Sequence, residues 1–277
     1  MVLDFQRGIA DKLANDTLEQ LNMEDSFTFA CGPDCMGRCC QNITILLDPW
    51  DVEVMARHLN LPGQRFFKDY CAMEPDRDTG WPAVWLAHAA NGRCAFMLED
   101  GRCSIYRSRS RNCRTFPLGR AVRYHRDGDV CTKEDCIFMV DREHMQFCLG
   151  HTADRVWTVQ EWYDDAGAED YYRMSDQYTE LVDYAARVLQ CREWMSPKIM
   201  QMLMPFLFAP DLLRVKLGIS EKQIDHREFH RRRMEAVKLI LTDVALGCGC
   251  GPQTDVGAAA FAGSLMDRVK KVMTAGA

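Results

Sequence analysis

Apolar residues return at helical spacing through the first 24 positions, at Leu3, Ile9, Leu13, Leu18 and Leu21, and predict an N-terminal helix. A β-rich run over residues 42–47 stops at Asp48-Pro49-Trp50-Asp51, where Asp48 can cap and Pro49 can occupy the first turn of a helix reaching about Leu59. Pro62 opens another short helix that ends near Cys71. Between Trp81 and Val140 the pattern breaks into brief apolar runs, at 83–86, 93–98, 103–106 and 121–124, separated by Gly, Asn and Asp. These are candidate small strands or loops. Farther on the helical signals are well punctuated. Thr158-Val159-Gln160-Glu161 and Ser220-Glu221-Lys222-Gln223 both fit the capping box. Residues 170–194, a stretch from Ser196-Pro197 to Pro205, and 221–246 ending at Gly247 complete a helix-rich second half.

With 277 residues, 47% of them hydrophobic and 27% charged, the chain can bury a core without cross-links. Composition excludes disorder, collagen and coiled coil. A net charge of -6 argues against a whole-chain polyanion binder, and so against nucleic acid as a partner. The first residues lack the apolar core of a secretory signal, and no window approaches the roughly 18 apolar residues of a membrane span. A cytoplasmic setting is expected, where thiols stay reduced unless a metal or a catalytic cycle uses them.

That setting makes the 14 cysteines the main chemical signal. Eleven fall between Cys31 and Cys148, and the others are Cys191, Cys248 and Cys250. The first group, Cys31-x3-Cys35-x3-Cys39-Cys40, sits among Gly32, Pro33 and Gly37, poor material for a core and suited to converging thiolates on a soft cation. Adjacent Cα atoms lie about 3.8 Å apart, below the usual disulfide range, so Cys39 and Cys40 are expected to serve two metals, two irons of one cluster, or one metal and a free thiol. Cys94, Cys103 and Cys113 follow at intervals of nine and ten, interleaved with Phe96, Ile105, Tyr106 and Phe116, which would exclude water from metal–thiolate bonds. Cys148, and less strongly Cys131 with Cys136, are later candidates; Cys71 and Cys191 fit helix packing.

The order of these pieces resembles the YkgJ-type cysteine-cluster proteins, a family of zinc- or iron-chelating domains. The resemblance rests on the cysteines ending in Cys39-Cys40, the run and Asp-containing helix over 43–61, Cys94-x-Phe96, Cys103-x-Ile105-Tyr106, and Arg109-x3-Cys113-Arg114-x-Phe116-Pro117. It covers roughly residues 27–150. Two departures stand out: the first spacings are three residues where many members have two, and Ser110 follows Arg109 where the family has proline, which predicts a looser turn. Some relatives are linked to flagellin lysine methylation. The resemblance therefore implies a metal-bearing domain, with an iron–sulfur-dependent transferase or redox enzyme as the alternative.

Arg102, Arg107, Arg109, Arg111, Arg114, Arg120, Arg123 and Arg126 crowd a stretch without Asp or Glu, a cationic field that favours thiolates or an anionic cosubstrate, with Arg109 and Arg114 as the cofactor-binding candidates. Gly247-Cys248-Gly249-Cys250-Gly251 reads as a glycine cap at Gly247 followed by a flexible linker. His226-x3-His230 runs into Arg-rich sequence and is expected on an exposed basic helix face; His88, His125, His144 and His151 are weaker candidate ligands. No Walker loop, G-x-G-x-x-G turn or G-x-S-x-G elbow is present. The expectation is an α+β protein: an N-terminal helix (1–26), a cysteine-cluster domain (27–155), a helical region (156–247), and a Gly/Cys linker with a C-terminal helix (248–277). Its metal would be zinc or iron, the latter extending to a [4Fe-4S] cluster, bound by Cys31, Cys35, Cys39, Cys40, Cys94, Cys103, Cys113 and Cys148. A protein partner is left open.

Overall fold

The computed structural model describes residues 2–41, 43–127, 130–140, 148–250 and 264–276. His144 and Gly251, with the linker residues up to 263, lie outside the described residues. In chain order the helices are α1 (Val2–Ala14), α2 (Pro49–His58), α3 (Gly63–Tyr70), α4 (Arg111–Thr115) and α5 (Val159–Ala166). They continue with α6 (Ala168–Asp183), α7 (Pro197–Phe208), α8 (Pro210–Leu217), α9 (His226–Gly247) and α10 (Leu265–Thr274). The strands are β1 (Ser26–Thr28), β2 (Cys71–Pro75), β3 (Pro82–Leu86), β4 (Leu118–Asp127), β5 (Val130–Met139) and β6 (Val156–Thr158). The fold is α+β, with three two-stranded pairings among the described residues. No described helix is long and apolar enough to cross a membrane.

Local chemistry explains where several helices begin. Asp48 and Asp51 bond each other's backbone amides reciprocally at the start of α2, with Pro49 in its first turn, as the sequence predicts. Thr158 and Glu161 do the same for α5. The Ser220 box behaves differently. Ser220 Oγ donates to Gln223 Oε1 (2.8 Å), which closes a turn, and α9 starts later, where Asp225 accepts from the Glu228 amide (2.9 Å). The N-terminal helix is also shorter than its apolar spacing predicts: Asp16 adopts φ +50°, and Leu21 instead gives its amide to Ile137 O (2.8 Å). Residues 93–98 and 103–106 form isolated bridges and a 3-10 turn rather than strands.

The chain divides into two compact units that are interleaved in sequence, residues 1–46 with 85–172, and 47–84 with 173–277. In the first, β4 and β5 form an antiparallel hairpin from Leu118↔Met139 to Asp127↔Val130, and β1 pairs antiparallel with β6. Phe27, Phe29, Leu118, Ile137, Val159, Tyr163 and Tyr172 make its core. Burial of these side chains supplies about 1.5–3 kcal/mol each before entropy is charged against it.

The second unit is helical, with Leu203, Leu207, Phe229, Val237 and Leu241 fully buried. The expected exposed basic face of α9 is corrected here. His230 and Arg233 are fully buried, His226 stacks on Trp50 (5.5 Å, 4°), and His230 meets the same ring edge-on. Arg233 pairs with buried Glu53 and donates to Phe206 O (2.9 Å) and His230 Nδ1 (3.1 Å). A buried carboxylate and closed backbone carbonyls draw these side chains inward, which helical periodicity cannot reveal.

The expected position of the glycine cap is corrected as well. Gly249, not Gly247, is the left-handed cap (φ +73°), with Gly249 N bonded to Leu246 O (3.0 Å) and Cys250 N to Ala245 O (2.8 Å). This is a Schellman motif, so Cys248 and Cys250 belong to the end of α9.

Candidate metal centre

The candidate thiols all lie in the first unit, on four stretches of chain that short backbone contacts pull together. Two 3-10 turns, Pro33–Cys35 and Arg38–Cys40, carry the first cysteines, and Gly37 between them has φ +78°. A Cβ on Gly37 would lie 2.9 Å from Gly101 Cα and Met97 Sδ, and one on Gly101 (φ +81°) would lie 2.7 Å from Met36 O. Two glycines thus let the Cys35–Cys39 loop press backbone to backbone on the turn before Cys103. Cys94 N bonds to Cys40 O (2.8 Å), and Met97 bridges Cys103. On the other side Ala30 N bonds to Gly150 O (3.1 Å), which brings Cys31 toward Cys148. Gly150 packs against Phe29 so closely that a Cβ would stand 2.6 Å from its ring.

Cys113 rides on α4, whose N-cap is Ser110. The Ser110 side chain is buried and accepts from the Cys113 amide (3.4 Å). The looser turn expected from serine in place of proline is therefore corrected: the hydroxyl caps the helix that presents Cys113.

None of the 14 cysteines is in a disulfide. Cys39 and Cys40 hydrogen-bond through their thiols, which lowers Cys39 and raises Cys40. Burial pushes Cys31 up to about 11 and Cys113 up to about 12, with further upward pressure from neighbouring thiols in each case. Cys94, Cys103 and Cys148 are raised for the same first reason. Each of the eight candidate thiols has at least one other among its electrostatic neighbours, Cys35 through Cys31 and Cys148. Arg109 pulls Cys31, Cys39 and Cys103 downward, without reversing the rise of Cys31 and Cys103. Its guanidinium lies 3.8 Å from the Tyr106 ring centroid, and its buried Nε has no hydrogen-bond partner.

Arg114 has a different occupation. It donates to Ala166 O (2.7 Å) at the end of α5 and to Arg107 O (2.8 Å), and lies over Tyr171. That is a clasp on a helix C-terminus, where a cation is favoured. Cys131 and Cys136 stand five residues apart on β5, hence on opposite faces of the hairpin. His125 pairs with Glu134 (3.0 Å), and His151 packs edge-on to Phe29. His88 places Nδ1 3.2 Å from Leu86 O, leaving a buried Nε2 without a hydrogen-bond partner, and bridges Cys94 through the backbone. The part played by Ser110 was legible only as a Ser-x-x-Cys start.

Among the described residues no three His, Cys, Asp or Glu side chains are already arranged to hold a metal ion. The donor set nevertheless fits one: soft sulfur atoms free of disulfides on converging loops, beside the half-buried Arg109, whose buried Nε–H is unmet. Closing a ligand shell requires rotation of the thiols about χ1.

Residues 30–143 match the CxxCxxCC family. The family is described as "Putative zinc- or iron-chelating domain". The CxxCxxCC match takes in seven of the eight candidate thiols and Arg109, and ends before Cys148. No curated protein and no solved structure matches the chain at a significant level.

Proposed function

We propose that this protein is a thiolate metal-binding protein that holds zinc or iron through Cys31, Cys35, Cys39, Cys40, Cys94, Cys103, Cys113 and Cys148. The observation that supports the reading is a set of cysteines free of disulfides on stretches far apart in sequence that backbone bonds draw together, Cys94 N to Cys40 O (2.8 Å) and Ala30 N to Gly150 O (3.1 Å). Zinc held by four thiolates would tie these loops together as a structural ion. Iron with sulfide would add an electron-transfer centre on the same ligands. Arg109 supplies compensating positive charge beside the thiolates in either case, and its unmet Nε–H suits a thiolate or a bound anion.

Anaerobic purification followed by metal and sulfide analysis with a visible spectrum tests the reading. Colourless protein with stoichiometric zinc supports the structural form. Broad visible absorbance with iron and sulfide supports the iron–sulfur form and opens the transferase or redox alternative, for which saturable binding of S-adenosylmethionine is the next measurement. Metal-free protein after oxygen-free isolation overturns the proposal.

A further inference from the structure

Backbone contacts sort six of the eight thiols into two sets, with Cys39 beside both and Cys113 placed by its thiol neighbours. Cys40 is tied to Cys94 by the bond between Cys94 N and Cys40 O (2.8 Å). Cys94 is tied to Cys103 through the Met97↔Cys103 bridge, Met97 N to Cys94 O (3.1 Å), and Ser104 N to Phe96 O (2.8 Å). Cys113 joins this set beside Cys40, and its own thiol neighbours are Cys94 and Cys103 with Cys39 of the adjoining set. On the other side the turn Pro33–Cys35 packs on the turn Leu149–Thr152, and Ala30 bonds to Gly150. Those contacts place Cys31 and Cys35 with Cys148. The foremost thiol neighbours of Cys31 are Cys39, Cys35 and Cys148, and those of Cys148 are Cys35 and Cys39.

We infer that the protein has two metal subsites, one formed by Cys31, Cys35, Cys39 and Cys148 and the other by Cys40, Cys94, Cys103 and Cys113. The division rests on the reading that these thiols bind metal, and it adds a stoichiometry and a ligand assignment. Each set has four sulfur donors, the number a tetrahedral thiolate ion requires. The peptide bond between Cys39 and Cys40 joins the sets, so each residue of the pair serves its own ion. Cys148 lies beyond the family match at residues 30–143, so this chain completes the first subsite with a residue from outside that domain.

The test is a titration of apoprotein, prepared anaerobically, with cobalt(II), followed by sulfur-to-cobalt charge-transfer absorbance and by native mass spectrometry. Two equivalents are expected for the wild type, and one each for Cys148→Ser and Cys113→Ser. The one cobalt that each variant keeps is expected to show the wild-type absorbance per ion. A wild-type end point of one equivalent overturns the division while leaving metal binding intact; no cobalt at all overturns both. Loss of both ions from a variant whose far-ultraviolet circular dichroism matches the wild type also overturns the division. The wild-type end point decides the matter even where a variant does not fold.

Discussion

Arg109 shows how one side chain can serve a whole cluster. It pulls Cys31, Cys39 and Cys103 toward the thiolate, although burial still leaves Cys31 and Cys103 raised, and its neighbour Tyr106 holds the guanidinium by its ring face. With metal at these thiols, Arg109→Gln should weaken zinc binding about tenfold or more, and Arg109→Lys by less, in competition with a chromogenic chelator. Equal affinity for wild type and Arg109→Gln would remove Arg109 from the centre. In the helical unit, Arg233 neutralises Glu53 inside the core. Arg233→Met strands that carboxylate and should cost about 3–5 kcal/mol in urea denaturation. His230, beside them, is held below its ordinary value of 6.5, first by burial and then by Arg233, with Glu53 opposing. The unfolded chain then takes up this proton at a higher pH than the folded one, so stability is lost as pH falls below 6.5 toward the folded value. His230→Gln should flatten the fall in urea midpoint between about pH 7 and pH 5; an equally steep fall in the variant assigns the loss elsewhere.

Elements of five residues or fewer do much of the positioning in the cysteine-bearing unit, and they depend on single caps and close approaches. Helix α4 has one side-chain cap, Ser110. Ser110→Ala should cost about 1 kcal/mol and raise the alkylation rate of Cys113 in the metal-free protein, measured by mass spectrometry of iodoacetamide-labelled peptides. Gly101 combines a left-handed backbone with a Cβ position 2.7 Å from Met36 O. Gly101→Ala should therefore separate the loop of Cys35 and Cys39 from that of Cys103, lowering the melting temperature and the metal content together. A variant with normal metal content would show that the contact does not position the thiols. The late start of α9 shows the same dependence in a longer element: Asp225, rather than Ser220, meets its first amides because Ser220 spends its hydroxyl on Gln223.

At the scale of the molecule, a metal that binds the folded cysteine unit and not the open chain stabilises it by mass action, about 2.7 kcal/mol at a ligand concentration 100 times the dissociation constant. Removing metal with a chelator under reducing conditions should lower the first thermal transition and leave the circular dichroism of the helical core largely intact; readdition of zinc should reverse the change. A transition indifferent to chelation would separate metal binding from stability.

The amino-acid sequence by itself determined the α+β class, the caps of α2 and α5, and the list of candidate thiols, because these depend on spacing, side-chain type and contacts within a few residues. Tertiary structure alone decided that the turn after Cys148 packs on the turn of Cys35, that Cys94 bonds Cys40 through the backbone, and that Arg114 is a helix clasp while Arg109 stacks on Tyr106. Those outcomes follow from glycine close approaches and backbone bonds between residues 50 to 120 positions apart, for which no local periodicity exists. The burial of His230 and Arg233 was hidden for the same reason: their partner, Glu53, lies some 180 residues away along the chain. Local physics selects the elements, and only long-range packing selects which polar groups share a desolvated space.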